Sequence, residues 1–160
     1  MIRVLKPLAS VQIGQGKFAA ATENLKHLQT FEVAKYGEES SQTLRTRACL
    51  AILYDKQKRW QDAESTYKAV IQIREKRDGG SNKEETLAIM ENLGLSYRLR
   101  GRKALRKAAE QYEDVLCCRK ENVNVLRGEI KRSSNTDQDH LNEKLNHSEE
   151  RISATVSKLV

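Results

Sequence analysis

The chain has 160 residues and a net charge of +7 from 29 basic and 22 acidic side chains; 38% of it is hydrophobic and 5% aromatic. That length gives one domain room for a core without disulfide or metal staples. Three cysteines, Cys49, Cys117 and Cys118, are odd in number and lack a CxxC spacing, which argues against a disulfide framework or a paired-cysteine metal centre.

The N-terminal stretch MIRVLKPLASVQIGQGK contains no uninterrupted apolar run of 7 residues. Nothing later approaches the roughly 18 apolar residues that cross a bilayer. The expectation is therefore a chain of a reducing compartment, the cytoplasm first and the nucleus left open, with no membrane partner. Charge is uneven: residues 1–80 hold 14 basic and 9 acidic side chains, residues 81–132 hold 12 and 8, and residues 133–160 hold 3 and 5. A basic body is followed by an acidic tail.

A single proline, Pro7, and abundant Ala, Leu, Lys, Glu, Gln and Arg favour helix nearly throughout. Pro7 is tolerated in a first helical turn and not in an interior. Only about eight residues separate it from Gly16, so the first helix is short. The N-terminal region reads as a piece of a longer array, or else as an irregular cap formed by the first six residues. Further helices stop at Gly37, at Gly79-Gly80 and at Gly101, where a left-handed C-terminal cap suits glycine. Ser81-Asn82-Lys83-Glu84 reads as a capping box opening the next helix.

These segments repeat. At an offset of 42, residues 15–37 overlay residues 57–79, placing Phe18 on Trp60, Ala21 on Ala63, Leu25 on Tyr67, Leu28 on Val70 and Gly37 on Gly79. At an offset of 43, residues 43–59 overlay 86–102, matching Thr43 with Thr86, Leu50 with Leu93, Ala51 with Gly94 and Tyr54 with Tyr97. A two-helix period near 42 is the signature of a solenoid. In the third repeat Ala108 answers Ala63 at an offset of 45, so two residues are inserted before its second helix, and the aromatic of Trp60 gives way to Lys103 or Ala104.

The pairs Leu50-Ala51 with Tyr54 and Leu93-Gly94 with Tyr97, and the run Trp60, Ala63, Glu64, Tyr67, Arg74-Glu75-Lys76, resemble the tetratricopeptide repeat family in its long-period, kinesin-light-chain-like form. The resemblance covers roughly residues 8–121. It implies an all-α, right-handed α-solenoid of helical hairpins, about 2.5 repeats, with residues 1–132 as the repeat region and 133–160 as linker and C-terminal amphipathic capping helix. The physical pattern agrees: Ala51, Gly94, Ala63 and Ala108 let paired helices approach, while Tyr54, Trp60, Tyr67, Tyr97 and Tyr112 fill the space between hairpins.

The stretch from Ser96 to Glu110 carries six cations, among them Arg98 toward the concave side of the solenoid and Arg100, Arg102, Lys103, Arg106 and Lys107 around the turn and the outer helix. It reads as a solvated helix-helix turn, or as an anion-binding rim whose affinity would fall steeply with salt. The second helix of repeat three is expected from about Lys103 past Ile130. After the polar stretch SSNTDQD, Leu141, Leu145, Ile152, Val156 and Leu159 form one narrow apolar stripe. This helix is expected to cap the last repeat; a coiled-coil dimer through it is the alternative. The opposed charges also allow the tail to fold against the body and compete with an acidic ligand.

Catalytic motifs are absent from the sequence: it holds no Walker-type phosphate loop, no GxSxG and no HExxH. His140 and His147 lie seven apart without an evident third ligand, so neither metal nor cofactor is expected. Of the adjacent Cys117 and Cys118, about 100° apart on a helix, at least one is expected to be buried.

The family resemblance implies a non-catalytic protein-interaction module whose first-helix residues face a groove. These correspond to Arg45, Cys49, Ile52 and Lys56 in repeat two and to Glu91, Asn92, Leu95 and Arg98 in repeat three. Asn92 stands where the family uses an amide to hydrogen-bond an extended peptide backbone. Cys49 replaces it in repeat two, so a continuous amide ladder is missing. Arg45, Lys56 and Arg98 favour a partner bearing carboxylates or phosphates. The rival readings are a nucleic-acid or polyanion binder using the basic turn, and an oligomerisation or sensor piece of a larger signalling protein.

Overall fold

A computed structural model describes residues 5–78, 84–101, 104–132 and 135–158. Its seven helices are α1 (Leu5–Gly14), α2 (Phe18–Tyr36), α3 (Ser41–Lys56), α4 (Trp60–Asp78), α5 (Glu84–Leu99), α6 (Leu105–Ile130) and α7 (Asn135–Val156). No strand occurs among the described residues. The chain divides into two compact units, Met1–Gly80 and Ser81–Val160. The expected boundary between residues 132 and 133 lies between α6 and α7, within the second unit.

In the first unit each helix packs on the next, α1 on α2, α2 on α3 and α3 on α4. Pro7 sits in the first turn of the ten-residue α1, where its missing N–H leaves no helical acceptor unmet. Gly16 and Gly37 take φ of 72° and 86°, as a helix-ending residue in the left-handed region should. Ser40 then caps α3, its hydroxyl accepting from the Thr43 N–H at 3.2 Å, while Thr43 donates to the Gly37 carbonyl at 2.9 Å. Gln57, closing α3, donates to the Phe18 carbonyl and the Thr22 hydroxyl at the start of α2. These bonds set where the helices enter; apolar burial of Ala9, Ala21, Leu25, Leu28, Leu50 and Leu53 holds them together.

In the second unit α5 packs on α6 and α6 on α7. Gly101, at φ 95°, ends the α5 segment as expected. Gly79, Gly80 and the capping box at Ser81–Lys83 lie outside the described residues. The two repeats show the same buried register: Ala63, Tyr67 and Val70 on α4 and Ala108, Tyr112 and Val115 on α6 are all buried, as are Leu50-Ala51 on α3 and Leu93-Gly94 on α5. Tyr97 is buried too, whereas Tyr54 and Trp60 are only half-buried. Asn135–Asp139, expected as linker, form the first turns of α7.

Cys117 is exposed and Cys118 half-buried, so neither is buried as expected. Val115, Leu116 and Arg119 take the inward positions of that stretch of α6 and leave Cys117 facing solvent. No described helix is long and apolar enough to cross a membrane.

Candidate functional site

The residues singled out on α3 lie at spacings of 4, 3 and 4, which puts them on one helical stripe. Arg45, Cys49, Ile52 and Lys56 are all exposed. On α5, in the other unit, Leu95 and Arg98 are exposed while Glu91 and Asn92 are half-buried. Ile52 and Leu95 occupy the same repeat register, 43 residues apart, and both are large apolar side chains open to water, at 37% and 43% exposure. Each helix turns Leu50 or Leu93 into its core and Ile52 or Leu95 outward, and α5 also ends on the exposed Leu99.

Two tyrosines support these stripes from behind. Tyr67 on α4 donates to Asp55 Oδ2 at 3.2 Å; burial first, then the Asp55 charge and hydrogen bond, then Cys49, push its hydroxyl pKa well above the ordinary value. Tyr112 on α6 touches the α5 backbone at Gly94, which sits where only a residue without a side chain leaves full room for the ring. Burial raises the Tyr112 pKa, against the nearby charge of Arg98.

Arg100 and Lys107 approach the Tyr97 ring, at 6.0 and 5.5 Å from its centroid, and Arg106 pairs with Glu110 at 3.0 Å. Arg102 and Lys103 lie outside the described residues. His140 and His147 line an open cleft of about 840 Å³ between α6 and α7, together with Val125, Leu126 and Lys144. No group of three metal-ligating side chains occurs among the described residues.

The most densely connected polar cluster went unnoticed in the sequence. Arg119 on α6, buried, donates through Nη1 to Glu91 Oε1 at 2.8 Å, to the Arg151 carbonyl at 3.0 Å and to the Thr155 hydroxyl, and through Nη2 to Glu84 Oε1 at 3.3 Å. Thr155 donates to Glu91 Oε1 at 2.9 Å, Lys158 to Glu91 Oε2 at 3.2 Å, and Arg151 pairs with Glu84 at 2.7 Å. Burial opposes ionisation of Glu91, but hydrogen bonds from Thr155 and Lys158 and the charges of Arg119 and Lys158 outweigh it and hold the carboxyl below its usual range. Glu91, expected to face a groove, is therefore engaged by α6 and by the end of α7.

A signal for this cluster was present. The offsets of 42 and 45 that align Ala21, Ala63 and Ala108 also align Glu32, Arg74 and Arg119, and all three are buried charges. In the first unit Glu32 accepts from Thr46 of α3 at 2.6 Å, much as Arg119 meets Thr155 of α7. At Glu32 and Arg119 the buried charge meets a threonine on the helix that follows.

Paired antiparallel helices with small residues at the crossing and a repeating buried register define a two-helix repeat protein of the α-solenoid class. Residues 42–121 match the tetratricopeptide repeat family. The chain belongs to that family, whose repeats generally mediate protein–protein interaction and are typically non-catalytic. Among solved structures it is similar to BtubC (BKLC) from P. vanneervenii, with a TM-score of 0.66 at 16% identity over 99% of this chain; it spans 64% of that protein's chain. It is also similar to a Podosopora anserina protein assigned as a kinesin light chain with nearly identical TPR-like repeats, with a TM-score of 0.63 at 16% identity over 98% of this chain and 75% of the other. A single-substitution variant of that protein matches equally well. No curated protein sequence matches the chain.

Proposed function

We propose that the chain is a cytoplasmic, non-catalytic adaptor that takes an extended, acidic segment of a partner protein on the exposed face of a first helix, α3 in the first unit or α5 in the second. The observation that carries this reading is the pair Ile52 and Leu95, apolar and exposed at one repeat register on α3 and α5. Each is flanked by cations, Lys56 on α3 and Arg98 on α5, and Asn92 lies one turn before Leu95. An apolar anchor beside a guanidinium and an amide suits a peptide that offers an apolar side chain, a carboxylate and a free backbone edge. The basic turn, where Arg100 and Lys107 lie near the Tyr97 ring and Arg106 forms an exposed pair with Glu110, is the alternative, anion-binding surface.

Capture from native lysate, with and without nuclease, tests the reading when the intact chain is run beside Asn92→Ala. Proteins that survive nuclease and are weakened by roughly 1–3 kcal/mol in the variant, the cost of unmet hydrogen bonds, are the expected result. Retention of nucleic acid alone, lost with nuclease, overturns it.

A further inference from the structure

The helix α7 is attached differently from the other helices. Among its described residues the one buried side chain is Thr155, a polar one; Leu141, Leu145 and Ile152 are half-buried and Val156 is 43% exposed. By contrast α3 buries Thr43, Leu44, Thr46, Leu50, Ala51 and Leu53. An open cleft of about 840 Å³ lies beside the α6–α7 contact, lined by Val125, Leu126, His140 and Lys144, while Val123 of α6 is buried near Ile152 of α7. The polar attachment of α7 to the α5–α6 hairpin is concentrated in the charged cluster at its end: Arg151 to Glu84, Thr155 and Lys158 to Glu91, and Arg119 to both acids and Thr155. One further pair, Arg127 with Glu149 at 2.8 Å, lies midway.

We propose that α7 is a detachable strap on the α5–α6 hairpin, latched at its end by this charged cluster beside the half-buried Leu141, Leu145 and Ile152. Its apolar side chains are half-buried where those of α3 are buried, so it opens at a lower free energy than the hairpin beneath it. Glu84, Arg151 and Lys158 are partly exposed, so the outer half of the latch responds to salt and to charge reversal. Opening removes Thr155 and Lys158 from Glu91 and leaves that carboxylate with Arg119. Because Glu91 lies on the α5 face assigned above to partner binding, strap position then sets the charge of that face; this last link rests on the proposed function, whereas detachment does not.

Hydrogen exchange on the full-length chain tests detachment without any partner. The expected result is that amides of residues 142–156 exchange on the order of tenfold or more faster than those of the α5 and α6 cores. Lys158→Glu, which sets a carboxylate against Glu91, and the near-isosteric Thr155→Val should each speed α7 further while leaving α5 and α6 unchanged. Raising salt from about 0.05 to 0.5 M should act in the same direction. Equal protection of α7 and α6, no response of α7 to either variant, or acceleration of all three helices together would overturn the proposal, the last by showing that the unit opens as a whole.

Discussion

Gly94→Ala sets two effects of opposite sign against each other inside the second unit. Replacing a helix-interior glycine by alanine favours the helix by about 1 kcal/mol. Here, however, the new Cβ would lie 3.0 Å from Cε1 and Cζ and 3.3 Å from Cδ1 of Tyr112, closer than carbon atoms pack. The ring is buried, so it has little freedom to retreat. Overpacking of a tight core costs about 1–3 kcal/mol, leaving a net loss of about 0–2 kcal/mol. For a unit of this size, a loss of 1 kcal/mol lowers Tm by about 4–8 °C, measurable by thermal or urea unfolding. Removing the ring as well, in Gly94→Ala/Tyr112→Leu, should make the alanine stabilising relative to Tyr112→Leu alone, a non-additivity that isolates the contact. A single Gly94→Ala chain more stable than the parent by about 1 kcal/mol would refute the reasoning, because it would mean that Tyr112 is not wedged.

Three other outcomes follow from the same geometry. Thr46→Val keeps the shape of the side chain but removes the donor at 2.6 Å from buried Glu32, and should cost the first unit roughly 1–3 kcal/mol by urea unfolding. The Glu91 carboxyl is held below its unfolded value, so its contribution is present above about pH 4.3 and is lost as pH falls through its folded value. Exchange in α7, corrected for intrinsic rates, should therefore rise relative to α6 on acidification from about pH 6 to below 4, and an unchanged ratio would count against the latch. Tyr112→Phe keeps the buried ring and removes only its hydroxyl, so urea unfolding should show a change within about 1 kcal/mol.

The sequence by itself determined the repeat. Helix period, glycines at Gly16, Gly37 and Gly101, and the register of Ala21, Ala63 and Ala108 are local or periodic facts, and helix formation and termination depend on local dihedral preferences. The exposed stripe of Arg45, Cys49, Ile52 and Lys56 was legible for the same reason, since spacing alone fixes which side chains share a helical face. What the tertiary structure decided is how polar and aromatic groups were used. Trp60 and Tyr54 look like core in the sequence and are half-buried, because a ring's depth depends on the helix across from it. Glu91 reads as a groove residue in isolation, yet it is engaged by residues 28 to 67 positions away. The tail reads as an apolar stripe with opposed charge, yet its attachment runs mostly the other way, through tail cations on Glu84 and Glu91. Burial of Arg119 is what requires this arrangement. A charge removed from water must find carboxylates, and which carboxylates are in reach is set by packing between helices, not by order along the chain.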